Sequence, residues 1–120
     1  MKEDFVSFEI AKKLKEKGFD CKTRYGYLPP MPSLLEAFCD TNWSAKNGYP
    51  APTIAQALKW LRNEKKIFIY VDVRTNLEWF YEVWNINKKL SVLGNVDFNK
   101  SESYEESALA GIEYALDNLI

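Results

Sequence analysis

Residues 51–74 constrain the fold most, because within them the spacing of apolar side chains changes from helical to extended. Ile54, Ala57, Leu58 and Leu61 fall at i, i+3, i+4 and i+7, a single stripe that needs a partner surface. Thr53 with Gln56 three positions on has the spacing of a capping box, in which side chains satisfy two otherwise unpaired amides. Beyond the polar residues 63–66, Ile67, Ile69, Val71 and Val73 recur at every second position, as in a strand with one buried face. Thr75-Asn76-Leu77-Glu78 then reads as a turn into a second strand, residues 79–86, which makes 67–86 an antiparallel hairpin.

The flanks supply the rest of the architecture. Val6, Ile10, Ala11 and Leu14 define an N-terminal helix over residues 5–17, capped by Ser7 or Asp4 and ended by Gly18, with Phe19 placed to fold back on its last turn. Ser103 and Glu106 open a final helix whose stripe is Ala108, Leu109, Ile112, Leu116, Leu119 and Ile120. Between these elements the residues 20–50 hold four of the five prolines and sustain no period. Tyr25-Gly26-Tyr27-Leu28 reads as an edge strand, residues 33–38 as one or two helical turns, and the whole as an aromatic, proline-rich loop laid over the fold. Residues 90–93 are either a third strand or irregular chain before a Gly94-Asn95 turn. The predicted class is α+β: two or three amphipathic helices on one face of a small antiparallel sheet, in a single domain spanning 1–120, with a helix–hairpin–helix unit at 53–120.

Chemistry is constrained mainly by what the chain lacks. It has no histidine, which removes the commonest general base and metal ligand and the Ser-His and Cys-His nucleophile pairs. Its two cysteines, Cys21 and Cys39, do not make a zinc set, and the five scattered glycines make no phosphate loop. Asp72, Glu78 and Glu82 near the hairpin read as solvated structural carboxylates. No enzymatic activity, cofactor or metal is therefore expected. The formal charge of −1 provides no general attraction for nucleic acid or an anionic membrane. No apolar run reaches the roughly 18 residues that span a bilayer, and Met1-Lys2-Glu3-Asp4 is unlike a leader, so a cytoplasmic location with reduced thiols is expected.

Aromatic residues make up 15% of the chain, and their placement raises the question of partners. Phe68 and Tyr70 lie opposite the Ile/Val face of the first strand; the second strand puts Trp79 and Tyr81 on one face and Phe80 and Trp84 on the other. Helices can cover only one of these faces. The candidate partner surface is thus Trp43, Tyr49, Phe68, Tyr70, Trp79, Tyr81 and Trp84, to be covered by the 25–49 loop, by a protein partner or second copy, or by stacked bases. A second candidate is the basic cluster Lys59, Arg62, Lys65 and Lys66, which would either contact nucleic acid or complete the negative end of the helix dipole. The order of helix, antiparallel sheet and closing helix resembles a double-stranded-RNA-binding domain. Where that family places lysines at the start of the last helix, however, this chain has Ser103-Tyr104-Glu105-Glu106.

Three segments carry a further resemblance: Phe5-Val6-Ser7-Phe8-Glu9-Ile10-Ala11-Lys12-Lys13-Leu14-Lys15-Glu16-Lys17-Gly18-Phe19-Asp20, Ala51-Pro52-Thr53-Ile54-Ala55-Gln56-Ala57-Leu58-Lys59-Trp60-Leu61-Arg62, and Tyr104-Glu105-Glu106-Ser107-Ala108 leading to Leu119-Ile120. Together they resemble a group of short proteins carried by phages and integrated elements of gut Bacteroides-type bacteria. The resemblance covers about half the chain and brings no activity to any residue. It implies a mobile-element origin and a cytoplasmic setting. The functional expectation is a non-enzymatic protein-interaction or self-associating module, with a nucleic-acid accessory role as the alternative.

Overall fold

A computed structural model describes residues 4–31, 33–73, 79–86, 90–94 and 103–120. The Thr75-Asn76-Leu77-Glu78 turn with its Glu78 carboxylate, and Asn95 of the second expected turn, lie outside the described residues. The class is α+β, and the chain divides into two compact units, residues 1–53 and 54–120.

The first unit opens with α1, Phe8–Glu16. Ser7 Oγ accepts from the Ile10 amide at 3.3 Å, and Gly18 ends the helix at φ 103°, with the Phe19 amide donating to the Leu14 carbonyl. Val6, Ile10, Ala11, Leu14 and Phe19 are buried together. The stretch without a sustained period then forms three strands: β1 at Thr23–Tyr27, β2 at Leu35–Thr41 and β3 at Tyr49–Pro50, with a 3₁₀ turn at Trp43–Lys46. The expected helical turns at 33–38 are thus replaced by strand β2, because pairing with β1 supplies the hydrogen bonds a local turn would have made. The expected edge strand at Tyr25 is the centre of the antiparallel order β2-β1-β3. Gly26 is what permits this packing. A Cβ there would come within 2.2 Å of the Trp43 ring, so the indole lies directly on the strand backbone.

The second unit runs α2 (Ile54–Glu64), β4 (Ile67–Val73), β5 (Trp79–Asn85), β6 (Leu90–Gly94) and α3 (Tyr104–Asn118), with an antiparallel sheet in the order β4-β5-β6. The hairpin pairs Ile67 with Asn85 through Val73 with Trp79, and residues 90–94 add the third strand against Tyr81–Asn85. Both helices pack on the side carrying Ile67, Ile69, Tyr81 and Val83; α2 buries Ile54, Ala57 and Leu61, and α3 buries Ala108, Ile112, Ala115 and Leu116. Gly111 sets how close α3 comes, since a Cβ there would sit 2.8 Å from Ile69 Cγ2 and 3.2 Å from Tyr81. Ser103 caps α3 as its spacing predicts, accepting from the Glu106 amide at 3.2 Å.

Candidate functional site

The side of the β4-β5 hairpin turned away from the helices is built by strict alternation. Even-numbered residues of both strands share this side, and the register sets Phe68 opposite Trp84, Tyr70 opposite Glu82 and Asp72 opposite Phe80. Phe68, Tyr70 and Trp84 remain 38%, 43% and 41% exposed, and Ile86 just past the strand 48%. Phe68, Trp84, Asn85 and Ile86 line an open apolar concavity of about 350 Å³ at this end of the hairpin. The Ile86 amide donates to the Lys66 carbonyl at 2.8 Å, which fixes the concavity's rim to the start of β4.

At the other end the face becomes polar. Tyr70 leans edge-on toward Phe80, with centroids 6.4 Å apart, and donates its hydroxyl proton to Asp72 Oδ2. Asp72 Oδ1 accepts from the Val73 amide at 2.7 Å. These two donors, the tyrosine first, hold the Asp72 carboxyl below the usual carboxylate range, so it stays ionised. The same contact, backed by the charges of Asp72 and Glu82, pushes the Tyr70 phenol up. The face therefore combines exposed rings with the carboxylates of Asp72 and Glu82. Among the described residues it holds no group that could bind a metal ion.

The other sequence candidates are placed elsewhere. Trp43 is buried, its Nε1 donating to the Thr23 carbonyl at 2.8 Å, and Tyr81 is buried under α3; both are core residues, which corrects their expected place on a partner surface. Tyr49 is half-buried, edge-on to Phe8, with the Lys15 ammonium 4.8 Å from its ring centroid. Trp79 turns to the helix side and meets Tyr104 edge-on at 6.1 Å. Two other aromatic residues of the 25–49 stretch pack within the first unit, Tyr25 against Phe5 and Tyr27 against Phe8. Of the basic cluster, Lys59 and Arg62 are exposed, Lys65 lies over the Trp60 ring at 5.5 Å, and the Lys66 ammonium donates to the Asn63 carbonyl at the end of α2.

Sequence reasoning left Ile86 out of the surface, although its even number puts it in step with Trp84. It also missed Phe38. The β1–β2 register shifts between Thr23 and Tyr25, leaving residues 37–40 as a bulge on β2 in which Phe38 is fully exposed. Arg24 Nε and Thr41 Oγ1 brace that bulge by donating to the Ala37 and Cys39 carbonyls. A single exposed ring of this kind is ordinary on protein surfaces. Cys21 and Cys39 are exposed free thiols. Among the described residues no helix is long and apolar enough to cross a membrane, and no group of three or more His, Cys, Asp or Glu could hold a metal ion. Compared with known proteins, the chain matches no family model, no curated protein and no solved structure.

Proposed function

We propose that the protein is a non-enzymatic interaction module that docks a protein partner on the outer face of the β4-β5 hairpin. One observation carries the reading: three large aromatic side chains, Phe68, Tyr70 and Trp84, stay about two-fifths exposed on one contiguous face beside an apolar concavity. A contiguous apolar patch is costly to leave in water and is typical of interface cores, where tyrosine and tryptophan concentrate. The absence of histidine from the sequence supports a binding rather than a catalytic role. A cytoplasmic setting on a phage or integrated element belongs to the same proposal, and the free thiols of Cys21 and Cys39 accord with a reducing compartment.

Site-specific photo-crosslinking in the host cell tests this reading. A photoreactive phenylalanine analogue at Phe68 or Trp84 is expected to trap a protein adduct, whereas the same group at Lys59 or Arg62 is not. Adducts confined to positions 59 and 62, and containing nucleic acid, would replace this reading with the nucleic-acid alternative through Lys59, Arg62, Lys65 and Lys66.

A further inference from the structure

We infer that the partner segment is cationic and extended, with an apolar anchor and an arginine or lysine two residues away; this rests on the docking face proposed above. The argument is one of charge. The face presents Phe68, Tyr70, Asp72, Phe80, Glu82 and Trp84, and among the described residues it carries two carboxylates and no lysine or arginine. Lys66, which precedes β4, directs its ammonium to the Asn63 carbonyl instead. Glu82 lies directly across from Tyr70 and two positions from Trp84, so negative charge sits beside the electron-rich ring faces. Both attract a cation, and a guanidinium can stack on a ring while pairing with a carboxylate.

The same arrangement disfavours the other occupants. Two copies placed face to face would bury four carboxylates with no countercharge among the described residues of the face, a desolvation cost that the aromatic contact would have to overcome. A neutral or acidic apolar segment would likewise strip water from Asp72 and Glu82 without replacing it. Nucleic acid would set phosphates against them.

The geometry also gives a spacing. The concavity lies at the Phe68/Trp84 end of the hairpin, Glu82 is two residues along β5, and Asp72 is four residues along β4 from Phe68. At about 3.4 Å per residue these separations are roughly 7 and 14 Å, so an extended segment can seat an apolar side chain in the concavity and reach the carboxylates at its second and fourth following positions. The preferred pattern is apolar-x-Arg-x-Arg, or the same pattern read in reverse.

The test uses the full chain and three capped pentapeptides, Leu-Ser-Arg-Ser-Arg, Leu-Ser-Gln-Ser-Gln and Leu-Ser-Glu-Ser-Glu, titrated at low salt and read by amide NMR shifts. The arginine peptide is expected to move the amides of 67–73 and 80–86. It should bind about tenfold more tightly than the glutamine peptide, the sum of two exposed ion pairs and a cation–π contact. The glutamate peptide is expected to bind least. Combining Asp72→Asn with Glu82→Gln should abolish the arginine preference, so that the arginine and glutamine peptides bind with equal affinity. Equal or tighter binding of the glutamine or glutamate peptide on these same amides overturns the inference and leaves the docking face standing. Should none of the peptides move the 67–86 amides while the wild-type mass rises with concentration, and Trp84→Ser abolish that rise, the occupant is a second copy and the inference is wrong. No response from the face in either measurement removes the docking reading itself.

Discussion

The two sheets use the same kinds of side chain to opposite ends. Around β2-β1-β3 the aromatic residues other than the exposed Phe38 are buried or half-buried, and polar groups are paired about them: Trp43 Nε1 in the 3₁₀ turn donates to Thr23, Tyr27 Oη donates to the Val6 carbonyl at 2.9 Å, and Lys15 spans the Tyr49 ring to reach the Gly48 carbonyl. In β4-β5-β6 Phe68, Tyr70 and Trp84 stand in solvent on the face the helices leave open. The difference shows that a ring's role follows from whether its polar edge and both its faces are used within the fold. Enclosed rings hold a unit together; open ones are available to something else.

The sharpest way to break this contrast is to truncate one tryptophan from each unit. Trp43→Ala removes a fully enclosed ring and orphans the Thr23 carbonyl, and is expected to lower stability by about 3–5 kcal/mol. Trp84→Ala removes a half-exposed ring and its cross-strand contact with Phe68, and should cost about 1 kcal/mol or less. Urea denaturation of both variants checks this. Equal costs would mean that Trp84 serves folding as much as Trp43 does, and the open face would lose its argument. Next in size is Gly111→Ala, whose added methyl meets Ile69 Cγ2 at 2.8 Å; pushing α3 off the sheet should cost about 1–3 kcal/mol in the same measurement.

These pairs also show why some of the molecule can be read from its sequence and some cannot. The ends of α1 follow from Ser7, Gly18 and Phe19, and the hairpin from the alternation at 67–73, because each signal and its consequence lie within a few residues. The exposed side of the site follows from the same parity, which separates Phe68, Tyr70 and Trp84 from the Ile/Val face. By contrast, the burial of Trp43 depends on Gly26, seventeen positions earlier, having no side chain. β1 becomes central only because the two-residue strand Tyr49–Pro50 pairs along its second edge, too short a strand to show a period. The bulge that exposes Phe38 arises from strand register, which no local pattern around 37–40 specifies.

A smaller pair of substitutions sharpens the contrast within buried tyrosines. Tyr27 is hydrogen-bonded to Val6, whereas the hydroxyls of Tyr81 and Ser107 are buried with no hydrogen-bond partner among the described residues. Burial pushes both phenols up, and in Tyr81 the charges of nearby Tyr114 and Glu113 add to it. Tyr27→Phe should cost about 1 kcal/mol by leaving the Val6 carbonyl unpaired, whereas Tyr81→Phe should be neutral or stabilising by up to about 1 kcal/mol, since it removes a hydroxyl that was desolvated without compensation. Opposite signs in thermal or urea unfolding confirm the distinction; a loss for Tyr81→Phe comparable to that for Tyr27→Phe contradicts it.

The smallest effect concerns the open face and its dependence on pH. Asp72 has a folded pKa below its ordinary value, chiefly because Tyr70 donates to it and then because the Val73 amide does. A depressed carboxylate pKa means that the unfolded chain takes up the proton first, so the contribution to stability is present above the ordinary value of 3.8 and is lost as pH falls through the folded value. Tyr70→Phe removes the larger donor and brings the folded pKa back toward the unfolded one, so it should lower the neutral plateau slightly, leave stability at the acid end unchanged, and thereby flatten the acid limb of the stability profile. Direct NMR titration of the Asp72 carboxyl should show its midpoint rising in that variant. An unchanged midpoint would assign the shift to the Val73 amide alone. Tyr70 would then be free to turn toward a bound cation without giving up any hold on the carboxylate, which makes this modest titration the finest probe of how ready the face is to bind.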